Sequence, residues 1–296
     1  MHKEYFLRNV DTQSFIAWLC DLIDGSITLD FKYANGSYRS LEEAMLLYAW
    51  PPKSTHISTP LGQKTIVRNS TLSDNEELLR LLSIGLRNSV KSGADTEISN
   101  WVQAILVWGG VYTMTRTGKG NTGWLEDYRV HGGIGQYLSH TFKLLNEAED
   151  DEIGHAIQNL RSNAGLTKIY ALGCDNFVIY DSRVAAALSW FISKWSRSAE
   201  AVPEHLRFAT MRANTSKKSG KQRTAEKTVF PYFAPTGSKS SHVKHLKWNI
   251  RANWLLEQAI TNSSIAKTSN SICTIRDLEA SLFVIGDDLK YAEKFI

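Results

Sequence analysis

No uninterrupted apolar run approaches the roughly 18 residues that mark a membrane-spanning helix. The best candidate, WVQAILVWGGVYTM from Trp101 to Met114, is too short and reads as a buried helix. The opening MHKEYFLRNVD lacks the apolar stretch of a signal peptide, so a cytoplasmic setting is expected. Cysteine is scarce. Cys20, Cys174 and Cys273 are odd in number and far apart, which excludes a disulfide framework and any paired metal spacing. No cofactor and no metal are therefore expected. Strand signals are sparse, limited to SITLDFKY near residues 26–33 and KTIVRN near 64–69, and no internal repeat is visible.

What remains is helical. With 296 residues, 43% apolar and 22% charged, the chain can bury a substantial core. Apolar residues recur near 3.6 spacing over Glu4 to Ile23 and Leu41 to Trp50, the latter stopped by Pro51 and Pro52. A punctuated helix follows, with Ser73 or Asp74 at its start and Gly93 after its end. Further helices are predicted over 98–112, 135–146, 151–160, 168–172, 182–195, 205–212, 247–260 and 275–294. The expected fold class is mostly α, with a small β-hairpin near the N-terminus.

Charge is unevenly placed. Residues 207–251 hold eleven lysines and arginines and one acid, Glu226; this segment carries +10 against +4 for the whole chain, so the rest is net acidic. Such asymmetry fits either a polyanion partner or a solvated basic loop. Two loops are predicted, RTGKGNTG at 116–123 and NTSKKSGKQRT at 214–224. The first lacks the spacing of a phosphate-binding P-loop and follows a helix rather than a strand. Trp124, placed beside it, is a candidate for base stacking or wedging, or an anchor for the loop.

The most informative stretch is EIGHAIQNLRSNAGLTKIYALGCDNFVIYDSRVAAALSWFI. It reads as a helix, a tight SNAGL turn around Gly165, a second helix opening near Thr167, an extended FVIY run, and a third helix opening at Asp181. Taken singly, Lys168 is a surface lysine and Asp181 a helix cap. Together, over residues 152–195 and more weakly over WVQAILVWGGV, they resemble the helix-hairpin-helix (HhH-GPD) DNA glycosylases of the 8-oxoguanine-glycosylase-like branch. In that family a lysine follows the hairpin and an aspartate opens a later helix. Two departures stand out. The hairpin keeps only Gly165 where the family pattern is glycine-rich, and no four-cysteine cluster for an iron–sulfur centre follows.

The resemblance implies a two-lobed helical fold with the active site in the cleft between lobes. One lobe is residues 75–195, containing the hairpin unit 152–173. The other combines 1–74 with 196–296 and carries the basic segment. It implies a monomer that binds double-stranded DNA, flips out a modified base and cleaves its N-glycosidic bond. Asp181 would stabilise the positive charge that develops on the sugar. Lys168, made easier to deprotonate by the helix dipole and by burial, would attack C1′ and form a Schiff base, adding lyase activity. Ser162, Asn163 and Gly165 would meet one phosphate. Arg183, Lys217, Lys218, Lys221, Arg223, Lys239 and Lys244 would meet others. The base is either an oxidised purine such as 8-oxoguanine, in repair, or a hypermodified phage base such as glucosylated hydroxymethylcytosine, in antiviral defence. The alternative is a non-enzymatic DNA-binding module.

Overall fold

The computed structural model describes residues 1–29, 31–33, 36–114, 120–198, 201–213, 220–233, 237–264 and 271–292. Among these the fold is mostly α, with eleven α-helices. They are α1 (Lys3–Arg8), α2 (Val10–Ile23), α3 (Leu41–Leu46), α4 (Leu72–Ser92), α5 (Asp95–Trp108), α6 (Asn121–His131), α7 (Ile134–Asn146), α8 (Leu166–Gly173), α9 (Ser182–Ser196), α10 (Lys239–Asn262) and α11 (Ile275–Ile285). Two separate antiparallel hairpins complete it: β1 (Phe31–Tyr33) with β2 (Gly36–Tyr38), and β3 (Thr55–Thr59) with β4 (Gly62–Ile66). The second is registered Thr55 opposite Ile66 and Thr59 opposite Gly62.

Local chemistry sets the boundaries. Asn9 divides the predicted first helix in two, because its side chain accepts from the Asp11 and Thr12 amides and caps α2. Helix α4 is capped by Thr71 rather than by Ser73 or Asp74; Asp74 instead closes the reciprocal box on Thr71. Gly93 ends α4 in the left-handed conformation, as expected. Helix α9 occupies the core, buried from Val184 through Ile192. Helix α10 is buried on all sides from Trp248 through Leu256.

Three predicted helices are not formed as expected. Over 151–160 only the 3-10 turn Ile153–His155 appears. Asp150 accepts from the Glu152 amide, and buried Asp151 is engaged by the Met1 ammonium (2.7 Å) and Arg251 Nε (2.5 Å). These contacts compete with helical turns, and Asn159 leaves helical space altogether at φ 53°. The segment before the Lys168 helix is therefore a looped approach rather than a first helix. Over 205–212 only the turn Glu204–Leu206 is helical, because Thr210 exchanges backbone hydrogen bonds with Pro231 and Phe233. Helix α11 ends at Ile285, although the expected helix ran on to Lys294, which lies outside the described residues; the acids that follow are drawn away, Asp287 by Arg183, Lys221 and Arg223, and Asp288 by the Gln222 amide. Conversely, α10 begins at Lys239, ahead of the predicted 247, and α6 was not foreseen.

No described helix is long and apolar enough to cross a membrane. No cluster of His, Cys, Asp and Glu suited to a metal ion occurs among the described residues.

Candidate active site

Lys168 and Asp181 meet. Lys168 lies in the first turn of α8, Asp181 is the N-cap of α9, and Lys168 Nζ sits 3.8 Å from Asp181 Oδ2. Their side chains are 8% and 14% exposed, so the pair is nearly enclosed.

Each partner is held by its surroundings. Asn163 Oδ1 accepts from the Gly165 and Leu166 amides and so caps α8. Gly165 is needed for close approach, since a Cβ there would lie 2.1 Å from Asn121 Nδ2. The stem of Lys168 lies across the end of α5: a Cβ on Gly109 would stand 2.3 Å from Lys168 Cδ. Lys168 Nζ also donates to the Ala164 carbonyl at 3.0 Å.

Asp181 is delivered by the extended run 177–180, which has no neighbouring strand. Side chains take the place of one. Asn253 Oδ1 accepts from the Val178 amide (2.9 Å), Asn249 Nδ2 donates to the Val178 carbonyl (2.9 Å), and Glu279 Oε2 accepts from the Ile179 amide (2.6 Å). The Tyr180 hydroxyl donates to the Ala209 carbonyl at 2.6 Å. Buried backbone groups need such partners. Asp181 Oδ1 then accepts from the Arg183 and Val184 amides, leaving Oδ2 toward Lys168.

The two groups are biased in opposite chemical senses. Burial pushes the Lys168 ammonium below its ordinary value, and attraction to Asp181 and Glu279 does not offset it. Burial also opposes ionisation of Asp181. There Lys168, Arg183 and the two capping amides outweigh it, and the carboxyl titrates below its usual range. Glu279 goes the other way: burial raises it despite Arg276 and the Ile179 amide.

Arg183, two residues after Asp181, lies against an aromatic rim. The Arg183 guanidinium lies 4.0 Å from the Phe283 ring centroid and 5.9 Å from that of Trp50. Trp50 meets Phe283 edge-on at 5.7 Å, and Tyr48 lies 5.2 Å from Phe283. Burial raises the Tyr48 hydroxyl, helped by Glu279 and Asp181 and opposed by Arg276 and Arg183. A separate open cleft of about 890 Å³ lies between α3, α4 and the start of α11 and is bordered on α8 by Ala171 and Leu172; neither Lys168 nor Asp181 lines it. That volume suits a small-molecule pocket.

No protein-family model, curated protein or solved structure matches this chain.

The other anticipated site residues scatter. Ser162 is buried, with Oγ 2.8 Å from His245 Nδ1 and its carbonyl accepting from His242 Nδ1 (2.7 Å); burial lowers His245 to about 3, keeping it neutral. Asn163 Oδ1 holds the Gly165 and Leu166 amides and its Nδ2 donates to Asn121 Oδ1 (3.1 Å), so the Gly165 amide is already engaged. Arg183, expected to meet a phosphate, is paired to Asp287 at 2.9 Å. Lys221 and Arg223 join the same carboxylate; Arg223 is buried and also reaches Ser182 Oγ at 3.2 Å. Lys239 and Lys244 are exposed on α10. Lys217 and Lys218 lie outside the described residues. Trp124 is not in a loop: it sits on α6 and packs edge-on against Tyr128 (5.3 Å) and Tyr137 (6.0 Å).

Glu279, Asn249, Asn253, Gly109 and the Tyr48–Trp50–Phe283 rim were not anticipated. Nothing local marks them; each is defined by a contact across long sequence separation.

Proposed function

We propose that the protein is a DNA N-glycosylase that resembles the helix-hairpin-helix enzymes in its lysine–aspartate arrangement, though without the first hairpin helix, with Asp181 and Lys168 as its catalytic residues. The observation that carries this reading is the enclosed 3.8 Å pair in which the amine is biased toward neutrality and the carboxylate toward charge. Cleavage of a C1′–N bond needs an anion beside a sugar that gains positive charge, and an amine nucleophile must be neutral to attack. Lys168 forms a bond to C1′ as the base departs with the glycosidic electron pair. The amine proton passes to solvent or to the leaving base. Ring opening of the sugar then yields the Schiff base that permits strand cleavage. The aromatic rim supplies stacking walls for an extruded base. The cleft between a 75–195 lobe and a lobe from 1–74 and 196–296, the monomeric state, and a cytoplasmic, DNA-associated setting belong to the same proposal.

A second reading has support in one observation: Lys168 and Asp181 also satisfy each other, as a purely structural ion pair tying α8 to α9 would. In that case the protein binds DNA without acting on it. Mass spectrometry of bases released from normal, oxidised, alkylated and phage-modified DNA separates the two. Release of one modified base, with a borohydride-trapped adduct that disappears in Lys168→Ala, is the expected result. It also decides between an oxidised purine and a glucosylated pyrimidine as substrate. No release from any of these DNAs would leave only the binding role.

A further inference from the structure

The β3–β4 hairpin plays no part in the chemistry above, and its composition is unusual. Residues 51–70 contain Lys53, Lys64 and Arg68 and no aspartate or glutamate. All three cations are exposed, and none is in an ion pair among the described residues. Only Ile57 and Ile66 are buried along the two strands, seating the ribbon on α5. The outward residues His56, Ser58, Gln63 and Thr65 are polar and exposed.

The stem of this ribbon carries Trp50, part of the aromatic rim beside Arg183. Trp50 N donates to the Ser70 carbonyl (2.9 Å) and Asn69 N to the Pro51 carbonyl (2.8 Å), closing the hairpin's base. Trp50 Nε1 donates to the Trp108 carbonyl at 2.8 Å, and its ring faces Arg183. Beyond Arg183, Asp287 gathers Lys221 and Arg223. The hairpin's base thus reaches the aromatic group beside Arg183, while Lys53, Lys64 and Arg68 stay exposed; Lys64 lies across from Ile57, on the face seated on α5, and reaches solvent from there. A strand whose central nucleotide is extruded into a site presents phosphates on both sides of it. At about 3.4 Å per residue, strands of this length rise about 17 Å, enough to follow several phosphates of one strand.

We propose that the β3–β4 hairpin is a grip on the DNA backbone beside the extruded nucleotide, made through Lys53, Lys64 and Arg68. This rests on the glycosylase reading for its partner. Contacts of this kind are sequence-independent and release counterions.

The test is a triple variant, Lys53→Gln, Lys64→Gln and Arg68→Gln, whose side chains have no ion-pair partners to lose. Binding to an unmodified duplex is measured by fluorescence anisotropy over a range of salt concentrations. Three lost phosphate contacts make the log–log salt slope shallower by about 2.7. Base release at saturating DNA is expected to keep its kcat and raise its KM. A Lys53→Arg, Lys64→Arg variant should retain the wild-type slope. An unchanged slope in the triple variant, with the wild type still binding, overturns the hairpin grip and leaves the glycosylase reading intact. Absence of salt-dependent duplex binding by the wild type overturns both. Equally tight, triple-sensitive binding of polyglutamate would overturn DNA as the occupant in favour of an acidic protein.

Discussion

Replacing Asp181 by asparagine separates the residue's two roles. Oδ1 caps α9 through the Arg183 and Val184 amides, and asparagine can keep both bonds. Oδ2 faces Lys168 at 3.8 Å, and its charge is what the substitution removes. Two unit charges about 4 Å apart interact by about 4 kcal/mol at an effective dielectric near 20. If the sugar's developing charge forms at a comparable distance, losing the carboxylate slows base release by about a thousandfold. The fold should tolerate the change better than loss of half a buried ion pair suggests. A charged, unpaired lysine would cost about 3–5 kcal/mol, but burial already drives Lys168 toward the neutral amine. The assay is single-turnover base release, followed by denaturant unfolding of the same samples. Release by Asp181→Asn within tenfold of wild type refutes the electrostatic argument. Loss of release together with unfolding would instead assign the residue to architecture, which Lys168→Met/Asp181→Asn checks by removing both charges at once.

Adduct trapping through Lys168 should rise with pH and level off below the ordinary lysine range, because the folded-state ammonium is depressed by burial. The sign for stability follows: between the depressed folded value and the unfolded one near 10.4, the unfolded chain binds the extra proton, so stability increases with pH in that window. A pH series of borohydride trapping, with inflection at or above the ordinary lysine value, would contradict it. Asn253→Ala strands the buried Val178 amide and should cost about 1–3 kcal/mol in denaturant titration, whereas Asn253→Asp keeps the acceptor and loses less. Gly109→Ala places a methyl where the Lys168 stem lies, so trapping should fall while the salt dependence of duplex binding stays at the wild-type value. Trapping equal to wild type would show that the stem can move aside without consequence.

Several features were legible because their cause is local. Gly93 after the fourth helix and Asp181 before SRVAAALSWFI are short-range signals, and each marks a helix boundary in the structure; the start of α4 fell two residues earlier than expected, at the Thr71 cap. The Glu4–Ile23 pattern was equally clear, yet Asn9 interrupts it, because one capping side chain outweighs continuous apolar spacing. Residues 151–160 misled for a different reason. Their apolar spacing is helical, but Asp151 is claimed by Arg251, a hundred residues away. Trp124 looked like a loop residue because the glycines before it obscured the start of α6.

By itself the sequence determined the helical class, the Gly93 stop and the Asp181 cap, the concentration of basic residues in 207–251, and the placement of Lys168 and Asp181 at the starts of two successive helices. These depend on neighbours within a few residues, where backbone geometry and capping chemistry decide. Only the tertiary structure decided that the two side chains meet at 3.8 Å, that Arg223 and Ser162 turn inward, and that Asn249, Asn253 and Glu279 stand in for a missing strand beside 177–180. Burial and pairing arise from segments far apart in the chain. The same desolvation that lowers the lysine and raises Glu279 exists only once those segments close around them.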